Sequence, residues 1–485
     1  MTWLLILGMM FIYLFFVLFL GSFAGRGRDS SIVEYIAASR NLGFFVMYFL
    51  MGGAIFSAFS YLGGPGWAYS MGAPAFYILS YCALGLVPWW IWGPRAYRAG
   101  RKYNYVTMGQ LFADRFQSKS LSVIMALVSF LAFIQYITLQ MKGCAYVFEI
   151  ASEGRIPFWA GALIAYLVVL IYVFMGGVRG VAWTNVFQGA FMVITAWVFG
   201  IYIVFKLYGG PTEMFSRIAA AKPLHLIVGP GTSQSFAAYS SAVLVSVLGF
   251  SLWPNLFMKA YTAKSERVIK QTILMYPTFA MFLVPVLFVG FAGILQVEPD
   301  VLGAPDRILP WMFTHMQFSP VIVGLVLSAA LAAAMSTQDT VSHAAGSIFA
   351  QDFIEVLKKE KHSDREATWW VRISVVFFGA ISYLTAILGG QTLVALLLGA
   401  YGSIVQFLPL VAATFFWPRA TKAGAISGLM TGVVYNYAVV LDIIPAFWDL
   451  HAGLLGLILN FAILIVVSLL TKPEDKKHVM KFVNL

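Results

Sequence analysis

Apolar residues in this chain occur in long runs, separated by short polar loops. A helix needs about 20 apolar residues to cross hydrocarbon. About thirteen stretches meet that length: 3–22, 43–70, 74–93, 121–148, 157–175, 184–206, 238–258, 271–296, 317–346, 369–388, 391–416, 421–441 and 449–470. The first lacks a basic n-region and a small-residue cleavage site, so it reads as a retained helix. The pattern predicts an all-α integral membrane protein.

Composition agrees. Hydrophobic residues make up 61% of the 485 positions and charged residues 11%, against roughly a quarter charged in a soluble domain. A soluble enzyme, a disordered chain and a disulfide scaffold are excluded. Cys82 and Cys144 lie in apolar runs and read as reduced core residues.

The basic residues give an orientation. With the N-terminus outside, the cytoplasmic loops and tail hold 25 of the 31 Lys and Arg, among them Arg26, Arg28, Arg40, Arg95, Arg98, Arg101, Lys102, Arg179, Lys259, Lys264, Lys359, Lys361 and Arg419. Lys142, Arg155, Lys206, Arg217, Lys222 and Arg307 remain for the other side or the membrane. This follows the positive-inside rule, with the C-terminus cytoplasmic. The net charge of +11 is thereby accounted for and needs no nucleic-acid partner.

Two stretches carry residues that break helices. The second contains Gly52-Gly53 and Gly63-Gly64-Pro65-Gly66; the seventh contains Gly249 and Pro254. Proline removes a backbone donor and clashes with the carbonyl four residues back. The interrupted stretches lie five helices apart. That spacing predicts two five-helix repeats of opposite topology, with a site at the breaks. The alternative is a pair of ordinary kinked helices. The stretch 321–346 is rich in small residues and presents Ser336, Thr337, Gln338, Asp339 and Thr340 together. Hydroxyls and freed carbonyls are hard oxygen ligands, suited to an alkali or other hard cation.

Three stretches then resemble the sodium/solute symporter family. Ser57-Ala58-Phe59-Ser60-Tyr61-Leu62-Gly63-Gly64-Pro65-Gly66 is similar to the first core helix of its pantothenate and proline symporters. The run from Gly176 to Gln188, GGVRGVAWTNVFQ, resembles the signature GG-x-x-x-V-x-x-T-D-x-x-Q. Ala333-Ala334-Met335-Ser336-Thr337 is similar to the sodium-site helix. The resemblance implies a five-plus-five inverted-repeat transporter fold with discontinuous first and sixth core helices. Its parts are an extra N-terminal helix (1–22), a first repeat (43–206), an inverted second repeat (238–416), two C-terminal helices (421–470) and a cytoplasmic tail (471–485). It also implies Na+-coupled symport of a small organic solute into the cell, across a bacterial inner membrane, with Na+ as the coupling ion and one Na+ as the default stoichiometry.

Carried over by position, the sodium ligands are the carbonyls of Gly53, Phe56 and Ala333 and the hydroxyls of Ser336 and Thr337. The spacing i, i+3, i+4 puts Ala333, Ser336 and Thr337 on one helical face. The family's proline symporters carry Asp where this chain has Ile55, and the signature carries Asp where it has Asn185. Asn keeps an oxygen and loses the charge. Tyr136 matches a substrate-contacting Tyr. Ser57 and Ser60, then Ser246, Phe250 and Trp253, then Tyr401, Ser403 and Gln406 are the other candidates for the solute. Ser246 stands where the proline symporters have an aromatic residue.

Charge inside the membrane is costly unless used or paired. Lys142 is expected either to meet a substrate carboxylate or to snorkel to the headgroups. Asp339 is expected either to guide Na+ on exit or to pair with a basic residue such as Arg179. The first stretch points first to an organic acid, such as a monocarboxylate or pantothenate, and second to an amino acid; few Asn, Gln or Glu residues favour a sugar. A proton-coupled transporter of the same fold is a further alternative. A membrane sensor would need a kinase domain, for which 471–485 is too short. The six histidines are scattered with no H-E-x-x-H, and no GxxxxGK[ST] phosphate loop is present.

Overall fold

The computed structural model describes residues 2–24, 31–358, 363–390 and 392–485. Arg26, Arg28, Lys359 and Lys361, used above for orientation, lie outside the described residues. Those residues are helical, and their one β-type pairing is an isolated bridge between Leu42 and Ala263.

Among the described residues, nine helices are long and apolar enough to span a bilayer, and three bent pairs each complete one more span. One of the nine, Phe158–Tyr208, has 51 residues. At 1.5 Å per residue it would run about 75 Å, more than twice the hydrocarbon thickness. It is divided at Gly177, whose φ of 52° and ψ of −156° no helix contains. Thirteen spans result among the described residues. They are α1 (Thr2–Ala24), α2 (Phe44–Ile55 with Phe59–Ser70), α3 (Ala73–Leu84 with Trp89–Tyr103), α4 (Lys119–Ala151), α5 (158–176), α6 (178–208), α7 (Phe236–Phe250 with Pro254–Thr262), α8 (Glu266–Gly293), α9 (Pro320–Lys358), α10 (Asp364–Leu388), α11 (Leu393–Phe416), α12 (Lys422–Val440) and α13 (Ala452–Leu470).

The expected breaks in α2 and α7 are present, with bends of 58° and 41°. A third bend of 44° in α3 was not expected. It falls where Gly85 brings α3 against α7: a Cβ there would sit 2.3 Å from the Phe250 ring. Beyond the bend α3 continues to Tyr103 rather than ending near 93, so Arg95, Arg98, Arg101 and Lys102 stand on a helix, not in a loop. The segment 471–485 is not a bare tail. Lys476–Val483 is helical, and His478 lies 2.8 Å from the carbonyl of Asp114.

α1 packs on α5, α6 and α9, while α12 and α13 pack on each other and against α11. Large side chains such as Ile12, Phe15, Leu274, Val434 and Leu470 are exposed on the perimeter, as a lipid-facing surface requires. The two ends of the bundle differ. At the basic end, Arg101 donates to the carbonyl of Arg40 (2.6 Å), Arg40 donates to Asn104 (2.8 Å), and Arg179 pairs with Glu34. Lys259 departs from its reading as a loop charge: it lies in the second half of α7 and is 5% exposed.

Candidate functional site

The break in α2 begins at Phe56, which leaves helical geometry with φ −81° and ψ 91°. Backbone groups released there need new partners. The amide of Ala58 donates to Oε1 of Gln140 on α4 (2.9 Å), and the carbonyl of Ile55 accepts from the Tyr136 hydroxyl (3.3 Å). One turn earlier, the carbonyl of Gly53 accepts from Ser336 Oγ (2.9 Å) and Thr337 Oγ1 (3.2 Å) on α9. Ser336 Oγ also reaches the carbonyl of Ala333 (3.1 Å). Four of the five oxygens named for sodium therefore converge, all of them buried and neutral. Phe56, the fifth, sits at the break itself. Its ring stacks on Phe279 at 5.2 Å.

The approach depends on Gly53. A Cβ at that position would lie 2.4 Å from Oδ1 of Asn185 on α6. Asn185 Nδ2 donates to the carbonyl of Val181 (2.8 Å) and to Asp339 (3.1 Å), and its Oδ1 has no hydrogen-bond partner. Asp339 is fully buried and accepts from Tyr172 (2.8 Å), Thr184 (3.1 Å), Asn185 and Thr340 (3.1 Å). It does not pair with Arg179, which is engaged by Glu34 and the carbonyl of Ala38. Tyr172 and Gln140 belong to this machinery and carried no signal in the sequence, while Thr184 stood out there only as the Thr of the family signature. Each is a common residue in an apolar run whose partner sits on another helix.

The solute candidates divide. Tyr136 and Trp253 face each other with ring centres 4.9 Å apart, and Tyr401 lies 5.5 Å from Trp253. Tyr81, not foreseen, stands 5.5 Å from Tyr401 and 5.9 Å from Phe250. The Tyr136 hydroxyl is also within reach of the side chains of Ser57 and Thr337. Ser57 Oγ accepts from the amide of Phe59 (3.1 Å), and Ser60 Oγ donates to the carbonyl of Ser57 (3.0 Å), so both hydroxyls support the break. Ser246 is bonded to the Tyr77 hydroxyl (2.6 Å). Gln406 is a correction. It points away from the breaks, donating to the carbonyl of Gly453 (3.1 Å) and receiving Asn460 Nδ2 on its Oε1 (3.2 Å). Helix rotation, invisible in sequence, turns it toward α12 and α13.

Lys142 does not snorkel. It is 4% exposed and donates to the carbonyl of Gly389 at the end of α10 (3.1 Å). Asp306, in the loop before α9, is near enough to act on its charge. Asp306 accepts from the amide of Leu393 at the start of α11 (3.0 Å), and a Cβ on Gly66 would lie 3.0 Å from its Oδ1. α2, α4, α10, α11 and this loop thus close together at the end opposite the basic one. Burial pushes the Asp306 carboxyl up to about 6, against the Leu393 amide and Lys142, which favour its charged form.

Comparison with known proteins agrees with this arrangement. The chain is 31% identical over 467 residues to an uncharacterized symporter of Bacillus subtilis, YhjB, covering 94% of this chain and 95% of that one. It is 26% identical over 481 residues to a sodium/proline symporter of Staphylococcus aureus, covering 94% and 91%. Among solved structures, a Na+-coupled sialic acid symporter in a substrate-bound outward-open state superposes with a TM-score of 0.81 at 21% identity, over 97% of this chain and 98% of that one. Mhp1, a nucleobase-cation-symport-1 family transporter, superposes with a TM-score of 0.57 at 14% identity, over 92% and 98%. At those identities the structures establish the fold, an inverted-repeat bundle. The model of the sodium:solute symporter family matches residues 35–432, and the chain belongs to that family of membrane transporters, with Na+ as its coupling ion.

Proposed function

We propose that Gly53, Phe56, Ala333, Ser336 and Thr337 hold the coupling Na+ and that the Tyr136–Trp253–Tyr401 cluster beside them holds a small organic acid. The observation that carries the reading is the meeting of a broken helix with two adjacent hydroxyls of α9 on one freed carbonyl, that of Gly53. Hydroxyl hydrogens rotate, so these groups turn from donors to Gly53 into ligands for a cation. Neutral oxygens bind Na+ without trapping it. Tyr136 touches the same break and reaches Thr337. Ion and solute therefore bias one backbone element, which is the physical basis of coupling.

For the solute, the aromatic and hydroxyl residues at the break include no carboxylate, so an ammonium group finds no counter-charge among them. Gln406, the amide a sugar would use, is turned away. Both support an organic acid ahead of an amino acid or a sugar. Residues 43–206 and 238–416 serve as the two inverted repeats, and the basic end faces the cytoplasm by the positive-inside rule. In that orientation the closed end is outer.

Purified protein melted in NaCl or KCl tests the cage without knowledge of the solute. Sodium should raise the melting temperature, and the double change Ser336→Ala, Thr337→Ala should raise the half-maximal sodium concentration at least tenfold. A wild-type response in that variant rejects the cage. Proteoliposomes given labelled pyruvate, pantothenate or proline, with Na+ or choline outside, test the class. Sodium-driven uptake of proline alone would reject the organic acid.

A further inference from the structure

The second half of α7 holds a charge that neither the sodium cage nor the aromatic cluster uses. Lys259 is 5% exposed, and among the described residues no carboxylate lies within ion-pairing distance of its ammonium. A buried cation in a membrane protein is expensive unless it is paired or serves a polar pathway. Asp339 and His343 are near enough to act on it. Asp339, however, is already saturated by Tyr172, Thr184, Asn185 and Thr340.

The neighbours of Lys259 are as informative. Asn255 precedes it by four residues, so the two share a helical face. Asn255 is 1% exposed, and neither end of its amide has a hydrogen-bond partner. α9 packs against this half of α7. It also carries Gln338, 1% exposed and likewise without a partner at either amide end. Buried amides are almost always satisfied. An orphaned amide one turn from an unpaired ammonium, with a second on the helix packed there, marks a polar station that wants a ligand.

We propose that Lys259, with Asn255 and Gln338, is a binding station for the carboxylate of an anionic solute on its way from the breaks to the cytoplasm. The ammonium takes the carboxylate, and the amides take a neighbouring carbonyl or hydroxyl. This makes Lys259 a specificity-determining residue for small monoanions. The inference rests on the organic-acid reading above and gives it a charge-based cause.

The test compares acids with their uncharged amides: pyruvate with pyruvamide and lactate with lactamide, each as a thermal-shift probe in constant NaCl. Wild-type protein should be stabilised by the acids and at least tenfold less sensitive to the amides. Lys259→Met should weaken the response to the acids at least tenfold. Lys259→Arg should retain most of it. The sodium-induced shift should stay within twofold in both variants, which also shows that they fold; if Lys259→Met does not fold, Lys259→Gln replaces it. Equal responses to acids and amides would overturn the proposal. So would a wild-type protein that ignores both acids, or a Lys259→Met variant whose sodium response changes tenfold, since Lys259 would then serve Asp339. Loss of the sodium shift in wild-type protein strikes the cage and leaves this station standing.

Discussion

Gly53 shows how much a single missing side chain can carry. Its carbonyl is the meeting point for Ser336 and Thr337, and its Cα faces Asn185 Oδ1 so closely that a methyl group would lie 2.4 Å away. Gly53→Ala should push α2 off α6 and withdraw the carbonyl from α9. The expected result is a half-maximal sodium concentration raised at least tenfold in the melting assay. Adding Asn185→Ala removes Oδ1 and Cγ and leaves only Cβ, 3.2 Å from the new methyl. The double variant should recover part of the loss, a non-additivity expected of touching residues. Two independent losses that simply add would show that the clash is not the cause. Asp339 invites a second substitution. Asp339→Leu removes an acceptor shared by four buried donors. Thr184, Asn185 and Thr340 keep backbone carbonyls, while Tyr172 keeps only a long 3.5 Å contact to the carbonyl of Met335. The loss therefore falls mainly on Tyr172, at roughly 1–3 kcal/mol for such a group, whereas Asp339→Asn keeps an oxygen in place. Melting temperatures should fall in the order wild type, Asn, Leu. A Leu variant as stable as wild type would mean that the four hydrogen bonds do not hold α5, α6 and α9 together.

A broken helix is stable only if other helices complete its hydrogen bonds, and α4 does this for α2. Gln140 accepts the Ala58 amide while its Nε2 donates to the carbonyl of Tyr136 (3.2 Å), which fixes the amide's orientation. Gln140→Leu orphans the Ala58 amide and should lower both melting temperature and sodium affinity. Gln140→Glu retains the acceptor and should lose less of each. Equal losses would show that the contact is incidental. The same element shows what a sequence discloses. That α2 is broken was legible because Gly and Pro act on the backbone locally, but its place was not: the chain leaves the helix at Phe56 and Ser57, and Gly63 to Gly66 are helical. The shared face of Ser336 and Thr337 was legible because i, i+3 and i+4 lie together. Gln140 was not legible, since nothing local separates an amide that caps a break from one that packs. Gln406 failed for the same reason. It sits on the expected helix but is rotated toward Gly453 and Asn460, and rotation is set by neighbours far away in the chain. Lys259 was misplaced because the Pro254 break resets the register, letting α7 run on to Thr262.

At the scale of the whole molecule, alternating access requires the closed end to open, and Asp306 ties that event to pH. In the closed arrangement it accepts from Leu393, lies against Gly66 and acts on Lys142. The other titratable groups near it are Tyr146, Arg307 and Glu149, the last two paired with each other. Burial raises the Asp306 carboxyl from 3.8 to about 6. Opening returns it to solvent and to its ordinary value. The closed state therefore binds the proton more tightly and is favoured as pH falls. The effect is absent above about 6, where both states are ionised, and complete below about 4, where both are protonated. Between these limits each pH unit should shift the closed-to-open ratio by up to tenfold. Spin labels at the exposed positions Val301 and Leu441 report the separation of the loop from the end of α12. The population with the shorter distance should grow from pH 6.5 to pH 4.5 in wild-type protein. Asp306→Asn cannot ionise and should hold the short distance at both values. If that variant keeps the full pH response, the titration belongs to another group, and Asp306 is only a hydrogen-bond acceptor for α11.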